Sequence, residues 1–206
     1  MKRIKTLVGV CFALAALTAV SATSSALAAE FHASGGAGVS LTGEQTESHK
    51  FTIEGSSVTC TTAKFTGTTT AATATEQKMH PEYSGCTAFG FVGATINTAG
   101  CQYVFNSNSA NVNLTSCTSG GITITSSSAF GKCVVHVFNQ NGINGMSYGT
   151  TGTAPNRDIH VKTGSNNISV SITESTGICP LKVGTTVGSY TGVTTVKGAV
   201  GEVFYL

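Results

Sequence analysis

Six widely spaced cysteines restrict the fold of this chain more than any other feature of its sequence. They are even in number, and all of them lie beyond an N-terminal leader typical of exported proteins. In an oxidising compartment, cysteines in this pattern form a disulfide framework. The six residues are Cys60, Cys86, Cys101, Cys117, Cys133 and Cys179. They predict a domain held together by disulfides.

The leader, residues 1–28, has the three parts of a secretory signal peptide. They are a positive start at Lys2, Arg3 and Lys5, an apolar run over 7–20, and small residues before the cleavage point at Ala26-Leu27-Ala28. A transmembrane helix needs about 20 apolar residues, which is more than this run supplies. No second apolar run of that length follows. We therefore predict a secreted protein without a membrane span.

Loss of the leader changes both the cysteine count and the net charge. It removes a seventh cysteine, Cys11, and three of the eleven Lys and Arg residues, whereas all nine Asp and Glu residues lie beyond it. The remaining chain has eight basic and nine acidic residues, a formal net charge of −1. Nucleic-acid binding requires a surplus of positive charge. We therefore predict no nucleic-acid partner.

The cysteine spacing favours disulfides over a metal site. Zinc sites commonly bring ligands in pairs about two to four residues apart. Here the two closest cysteines, Cys86 and Cys101, are 15 residues apart, so no two cysteines lie at ligand spacing. The sequence predicts no bound metal and no cofactor.

One disulfide follows from local structure. A hairpin centred on Ser109 would set Cys101 opposite Cys117, within disulfide reach. Its register is imperfect, because it sets the apolar Tyr103 opposite the polar Thr115. Pairing the remaining four cysteines sequentially predicts Cys60–Cys86 and Cys133–Cys179.

Alternation of apolar and polar residues predicts strands along the whole chain. The clearest cases are Phe51/Ile53, Ile122/Ile124, Ile159/Val161 and Ile168/Val170/Ile172. Residues 133–138 predict a central strand, residues 191–197 and 200–206 predict two more, and Gly164-Ser165-Asn166 predicts a hairpin turn. No stretch of ten or more residues has capped helical periodicity.

These strands predict a single all-β domain over residues 49–206. A disulfide-stapled antiparallel β-sandwich is the expected architecture, with two small β subdomains or a barrel as alternatives. Residues 29–48 include Gly35-Gly36-Ala37-Gly38, which predicts a flexible N-terminal segment. The body of the chain is rich in Thr, Gly and Ser.

Several short motifs in residues 43–105 resemble a family of small secreted, six-cysteine actinobacterial proteins of unknown function. They are Gly43-Glu44-Gln45, His49-Lys50-Phe51-Thr52, Val58-Thr59-Cys60, Phe65-Thr66-Gly67, Tyr83-Ser84-Gly85-Cys86-Thr87-Ala88-Phe89-Gly90 and Cys101-Gln102-Tyr103-Val104-Phe105. The positions of Cys133 and Cys179 also fit the family spacing. The resemblance implies secretion and a six-cysteine β fold, and it implies no catalytic residues.

Candidate catalytic chemistry is limited to one pair. Asp158 is the only aspartate, and it shares a strand face with His160, so an unidentified serine could complete a hydrolytic triad. The Gly-x-Ser-x-Gly pattern that presents such a serine in many hydrolases occurs once, at residues 145–149, but no helical segment follows it, and a nucleophile elbow needs a turn from a strand into a helix. His136 fits a structural histidine better than a ligand, and His80 fits a turn.

The sequence thus predicts a secreted or cell-surface-associated β domain with a structural or binding role and no evident catalysis. A secreted hydrolase using Asp158 and His160 is the alternative. A Thr-rich tract over residues 66–75 could bind an ordered surface, but it lacks a sustained repeat. The apolar C-terminal strand, residues 203–206, could pair with a second copy of the chain. No other partner is indicated.

Overall fold

Antiparallel strands make up the fold. The computed structural model describes residues 29–154 and 156–206, so the predicted signal peptide lies outside the described residues. In chain order the strands are β1 Phe31–Ala33, β2 Ser40–Ile53, β3 Ser56–Thr68, β4 Thr73–Ala74, β5 Glu76–Ala88, β6 Val92–Asn97, β7 Gln102–Asn106, β8 Asn111–Thr115, β9 Gly121–Ser128, β10 Gly131–Phe138, β11 Gln140–Ile143, β12 Met146–Thr153, β13 Asn156–Ser175, β14 Gly184–Gly198 and β15 Phe204–Tyr205. These two ranges contain no helix, which confirms the all-β prediction.

Eight strands of the larger sheet close into a barrel. Around the ring they run β2, β3, β5, β6, β9, β10, β13 and β14, and β14 pairs again with β2. The ring closes because β6, one end of the sheet, pairs with β5, and β7, β8 and β11 continue the sheet from β5 outside the ring. The structure therefore has the barrel that the sequence left as an alternative, in place of the expected sandwich.

Two long strands of the ring change partners along their length. The first half of β5 pairs with β7 through Met79, and its last residues, from Cys86, pair with β6. The first half of β13 likewise pairs with β12 through Thr163, and its second half pairs with β10 from Val170. We call the level between these switch points, 79–86 on β5 and 163–170 on β13, the waist of the barrel.

Three of the strand pairs in the ring have register irregularities at the waist. The register of β2 with β3 shifts between Glu44 and His49. The register of β13 with β14 shifts between Ser165 and Ile168, and β14 shifts against β2 around Val193. Such bulges bend a strand and redirect its side chains. They allow the same long strands to serve the different sets of partners on either side of the waist.

The predicted hairpin turn at Gly164-Ser165-Asn166 is wrong. These residues lie inside β13, which continues without interruption from Asn156 to Ser175. The small and polar residues suggest a chain reversal, whereas Gly164 and Ser165 pair with Thr191 and Tyr190 of β14, and the register shifts just after Ser165. Ser165 is buried there, and its hydroxyl donates a hydrogen bond to the Tyr190 carbonyl at 3.3 Å.

Three disulfides join the predicted pairs, and all three pairings are confirmed. Cys60 and Cys86 face each other across β3 and β5. The Cys133–Cys179 bond connects β10 to the loop between β13 and β14. Cys101 and Cys117 flank the hairpin of β7 and β8.

The hairpin register differs by one residue from the prediction. Tyr103 pairs with Leu114, and Phe105 pairs with Val112. This register brings apolar side chains together, which removes the mismatch that a centre at Ser109 produced. The Cys101–Cys117 disulfide closes the open end of the hairpin, one residue before Gln102 and two residues after Thr115, the last backbone pair.

Residues 29–48, which were expected to be flexible, instead form β1 and the first half of β2. The strand β1 lies between β15 and β4 in a small three-stranded sheet. Its Phe31 packs with Phe204 and Tyr148, and Leu41 of β2 is only 2% exposed in the same apolar cluster. The prediction of flexibility was based on Gly35, Gly36 and Gly38, whereas the apolar Phe31 and Leu41 on either side of them pack into the core.

Two apolar clusters occupy the interior. We call the cluster that includes Leu41, Phe65 and Val196 the upper cluster. The other, the lower cluster, contains most of the residues whose alternation in the sequence predicted strands. Those residues are Phe51, Ile53, Ile122, Ile124, Ile168, Val170 and Ile172. Their burial confirms that the alternation marked inward-facing positions.

Replacing Leu41 with Ala tests the role of the N-terminal strand. Because Leu41 is buried, Leu41→Ala should lower the free energy of unfolding by about 3 kcal/mol, as core Leu→Ala changes do. The exposed neighbour Thr42 supplies the control, and Thr42→Ala should lower it by less than about 1 kcal/mol. Urea unfolding followed by circular dichroism measures both, and equal effects would show that this segment does not support the core.

Candidate functional site

A cavity of about 90 Å³ lies in the barrel interior at the waist. Its walls combine residues of both apolar clusters, among them Phe51, Leu114 and Ile124 of the lower cluster and Phe65 and Val161 of the upper. An eight-stranded barrel is just wide enough either to be filled by side chains or to hold one small ligand. Here the side chains leave part of the interior unfilled.

A chain of hydrogen-bonded polar side chains runs along one wall of the cavity. The Tyr83 hydroxyl lies 2.9 Å from the Tyr190 hydroxyl and 3.1 Å from the Tyr103 hydroxyl. The Tyr190 hydroxyl also bonds Nδ1 of His49. On the far side of the imidazole, Nε2 lies 3.0 Å from Oγ1 of Thr194. We call these five residues the waist network, and all five line the cavity.

The bulged strands place the waist network. His49 follows the bulge in β2, Tyr190 and Thr194 flank the bulge in β14, and Tyr83 lies between the switch points of β5. Gly192 makes room for the imidazole, because a Cβ atom there would come within 2.6 Å of Nδ1 of His49. Larger residues at this position would displace the ring.

Burial governs the ionisation of the waist network. Burial raises the pKa of each of the three tyrosines, Tyr83, Tyr103 and Tyr190, well above its usual range. Burial also lowers the pKa of His49, although its hydrogen bond with the Val193 carbonyl acts in the opposite direction. All four groups are therefore neutral near pH 7. No Asp, Glu, Lys or Arg is among the described residues that line the cavity.

The candidate catalytic pair, Asp158 and His160, lies away from the cavity. Both residues are on the outer face of β13, opposite the buried Ile159 and Val161. Asp158 is 3.8 Å from the Lys197 ammonium, in a partly exposed ion pair. In the described ranges, no serine hydroxyl is hydrogen-bonded to His160. The structure therefore does not assemble a triad around this pair.

The other histidines singled out in the sequence are also outside the cavity. His136 lies on the outer face of β10, where Nδ1 is 3.4 Å from the Thr123 hydroxyl and the ring packs against Phe138. His80 is exposed on β5, with Nε2 3.2 Å from the Gln102 amide nitrogen. His80 is thus in a strand, and the predicted turn at this position is wrong.

The C-terminal strand has a partner within the chain. Phe204 of β15 pairs with Ala33 of β1 and is buried. Beyond it, the Leu206 amide donates to the Thr150 hydroxyl at 3.1 Å. Pairing of this strand with a second chain stays a prediction.

Reasoning from the sequence missed the waist network. One signal was available for His49, because it continues the alternation of Phe51 and Ile53 and therefore shares their inward face. The three tyrosines gave no comparable signal. Tyr83 and Tyr103 lie on the paired strands β5 and β7, whereas Tyr190 lies on β14, so their contact depends on the tertiary fold.

Comparison with other proteins adds no assignment, since the chain matches no protein family, no curated protein and no solved structure. Within residues 29–154 and 156–206, no helix is long and apolar enough to cross a membrane. The same residues contain no group of three or more His, Cys, Asp or Glu side chains placed to hold a metal ion. What the structure defines is an all-β barrel with an apolar cavity and a neutral polar network in its wall.

Removing one hydroxyl tests whether the waist network stabilises the fold. Tyr190→Phe leaves Nδ1 of His49 without a partner and removes one of the two hydrogen bonds of the Tyr83 hydroxyl, so it should lower the free energy of unfolding by about 2–3 kcal/mol. Tyr148→Phe is the matched control, because the bond from that hydroxyl to the Asn111 carbonyl is long, at 3.4 Å, and Tyr148 is not part of the waist network. The control should cost less than about 1 kcal/mol. Equal losses in urea unfolding would contradict a cooperative network.

The lowered pKa of His49 predicts a pH dependence of stability. The unfolded chain, with an ordinary histidine pKa of about 6.5, binds a proton more readily than the folded protein. Stability should therefore be complete above about pH 6.5 and decline as the pH falls toward the folded-state pKa, by at most about 1.4 kcal/mol per pH unit.

Urea unfolding at several pH values between about 7.5 and 5 measures this decline. His49→Gln should flatten it, whereas His80→Gln, which changes an exposed histidine, should keep it. A decline of the same steepness in the wild type and in His49→Gln would assign the effect to other groups.

Proposed function

We propose that this chain is an exported binding protein whose barrel takes up one small, largely apolar molecule. The observation behind the proposal is the cavity of about 90 Å³ at the waist, lined almost entirely by apolar side chains. Small-molecule sites are typically concave and apolar, with a few polar groups that fix orientation. The waist network supplies such groups on one wall.

The size of the cavity argues for a ligand site over a packing fault. Protein interiors are normally packed to crystal density, and unfilled volume lowers stability by about 24 cal/mol per Å³. On that basis, leaving 90 Å³ unfilled costs about 2 kcal/mol. A bound molecule would recover this loss and would stabilise the folded state further.

Export is supported by the leader-like sequence of residues 1–28 and by the disulfides, which persist in oxidising compartments. The resemblance to secreted six-cysteine actinobacterial proteins agrees with this proposal. A hydrolase that uses Asp158 and His160 is the weaker alternative, because both residues face away from the cavity.

Binding of p-xylene by the purified, oxidised protein tests the proposal. Saturating p-xylene should raise the melting temperature, and titration calorimetry should show binding to one site. Val161→Phe places a ring in the cavity wall and should weaken p-xylene binding at least tenfold. Val187→Phe makes the same change at an exposed position of β14, 56% accessible, and should leave binding unchanged.

Circular dichroism and the melting temperature establish whether each variant folds. Absence of any p-xylene binding by the wild type would overturn the proposed function. Equal weakening in the two folded variants would place the bound molecule outside the cavity.

A further inference from the structure

Building on the proposed function, we infer that the cavity selects a neutral molecule that donates one hydrogen bond, such as a small alcohol or phenol, and that the Tyr103 hydroxyl accepts that bond. The inference rests on the direction of the hydrogen bonds along the waist network. It also rests on the absence of charged side chains among the described residues that line the cavity.

The direction is set at His49. Nε2 lies 3.3 Å from the Val193 carbonyl oxygen, which can only accept a hydrogen bond. The Thr194 hydroxyl, 3.0 Å from Nε2, can accept as well as donate, so a proton on Nε2 satisfies both neighbours, whereas a lone pair there would face the carbonyl oxygen. Nε2 therefore carries the proton of the neutral imidazole. Nδ1 is then an acceptor, and the Tyr190 hydroxyl on that side must donate to it.

Each tyrosine passes this direction to the next. With its hydrogen directed to His49, the Tyr190 oxygen accepts from the Tyr83 hydroxyl at 2.9 Å. The Tyr83 oxygen in turn accepts from the Tyr103 hydroxyl at 3.1 Å. A hydroxyl has one hydrogen, so Tyr103 has none left for a ligand. Its oxygen can still accept, and Tyr103 lines the cavity.

The surroundings favour a neutral ligand. Transfer of a charged group from water into an apolar interior is strongly unfavourable unless an opposite charge pairs with it. The described cavity wall offers no such charge, and the waist network is neutral. A carboxylate or an ammonium ion would therefore be excluded, whereas a hydroxyl would find its acceptor at Tyr103.

The cavity also limits the size of the ligand. A cavity must offer roughly 10–15 Å³ of unfilled volume to hold one water molecule. The 90 Å³ therefore accommodates roughly six to nine non-hydrogen atoms, which corresponds to a single substituted ring.

Three probes of nearly equal size separate the hydrogen-bonding classes. p-Cresol donates a hydrogen bond, benzonitrile only accepts one, and p-xylene does neither; benzoate adds a negative charge. Calorimetry on the wild type should show p-cresol binding about tenfold more tightly than benzonitrile, as one added hydrogen bond gives. Benzoate should bind at least a hundredfold more weakly than p-cresol.

Two variants test the acceptor and the direction separately. Tyr103→Phe should weaken p-cresol binding about tenfold and leave p-xylene binding unchanged. Tyr83→Phe removes the group to which Tyr103 donates, so the Tyr103 hydrogen becomes free for the ligand. This second variant should shift the preference from p-cresol toward benzonitrile. Tyr148 lies outside the cavity wall, so Tyr148→Phe should leave the preference for p-cresol over benzonitrile unchanged.

The outcomes separate a failure of this inference from a failure of the proposed binding function. If p-xylene binds but benzonitrile equals or exceeds p-cresol in the wild type, the cavity is a ligand site and the inferred hydrogen-bond direction is wrong. Benzoate binding as tight as that of p-cresol would overturn the selection for neutral ligands. If none of the four probes binds, the proposed function itself fails. Unchanged p-cresol binding in a folded Tyr103→Phe variant would exclude Tyr103 as the acceptor, and an unchanged preference in a folded Tyr83→Phe variant would contradict the inferred direction.

Discussion

The exchange of partners along β5 and β13 is the constraint on which the rest of the structure depends. On one side of the waist β5 pairs with β7 and β13 pairs with β12, and on the other side they pair with β6 and β10. The same two long strands therefore belong to two halves that have different neighbouring strands. Backbone groups must stay paired through this change, and the bulges in β2, β13 and β14 accommodate it. The interior at this level belongs to neither apolar cluster alone, and the cavity lies there.

The waist network follows from the same geometry. Buried polar groups are tolerated only when they are paired, and a fully paired network favours one arrangement of the surrounding strands. Here His49 from β2, Tyr83 from β5, Tyr103 from β7, and Tyr190 and Thr194 from β14 satisfy one another across four strands. The network joins β7 to β2, β5 and β14, three strands that run through both halves, and so it holds these strands together at the waist. It also gives an otherwise apolar cavity a polar wall with a defined direction.

Local patterns in the sequence predicted the inward-facing strand positions and one disulfide-linked hairpin, because both depend on residues that are close together in the sequence. The inward positions of Phe51, Ile53 and Ile168 followed from alternation, and the hairpin that joins Cys101 to Cys117 followed from a turn between two apolar segments. Features that depend on contacts distant in sequence were missed. The glycines before Leu41 suggested flexibility, although β14 and β3 hold that segment on both sides. Gly164-Ser165-Asn166 resembled a turn, because a bulge inside a long strand uses the same small polar residues as a chain reversal.

The disulfides explain how the barrel tolerates an unfilled interior. A well-packed core would be the usual source of stability for a domain of this size, and the cavity lowers it by about 2 kcal/mol. Closing loops of 26, 16 and 46 residues restricts the unfolded chain, and in the chain-entropy description each closure contributes about 3–4 kcal/mol. This stabilisation acts on the unfolded state and does not require the interior to be filled. Space in the barrel is therefore compatible with a stable fold, and the waist can be shaped by the needs of a ligand instead of by close packing.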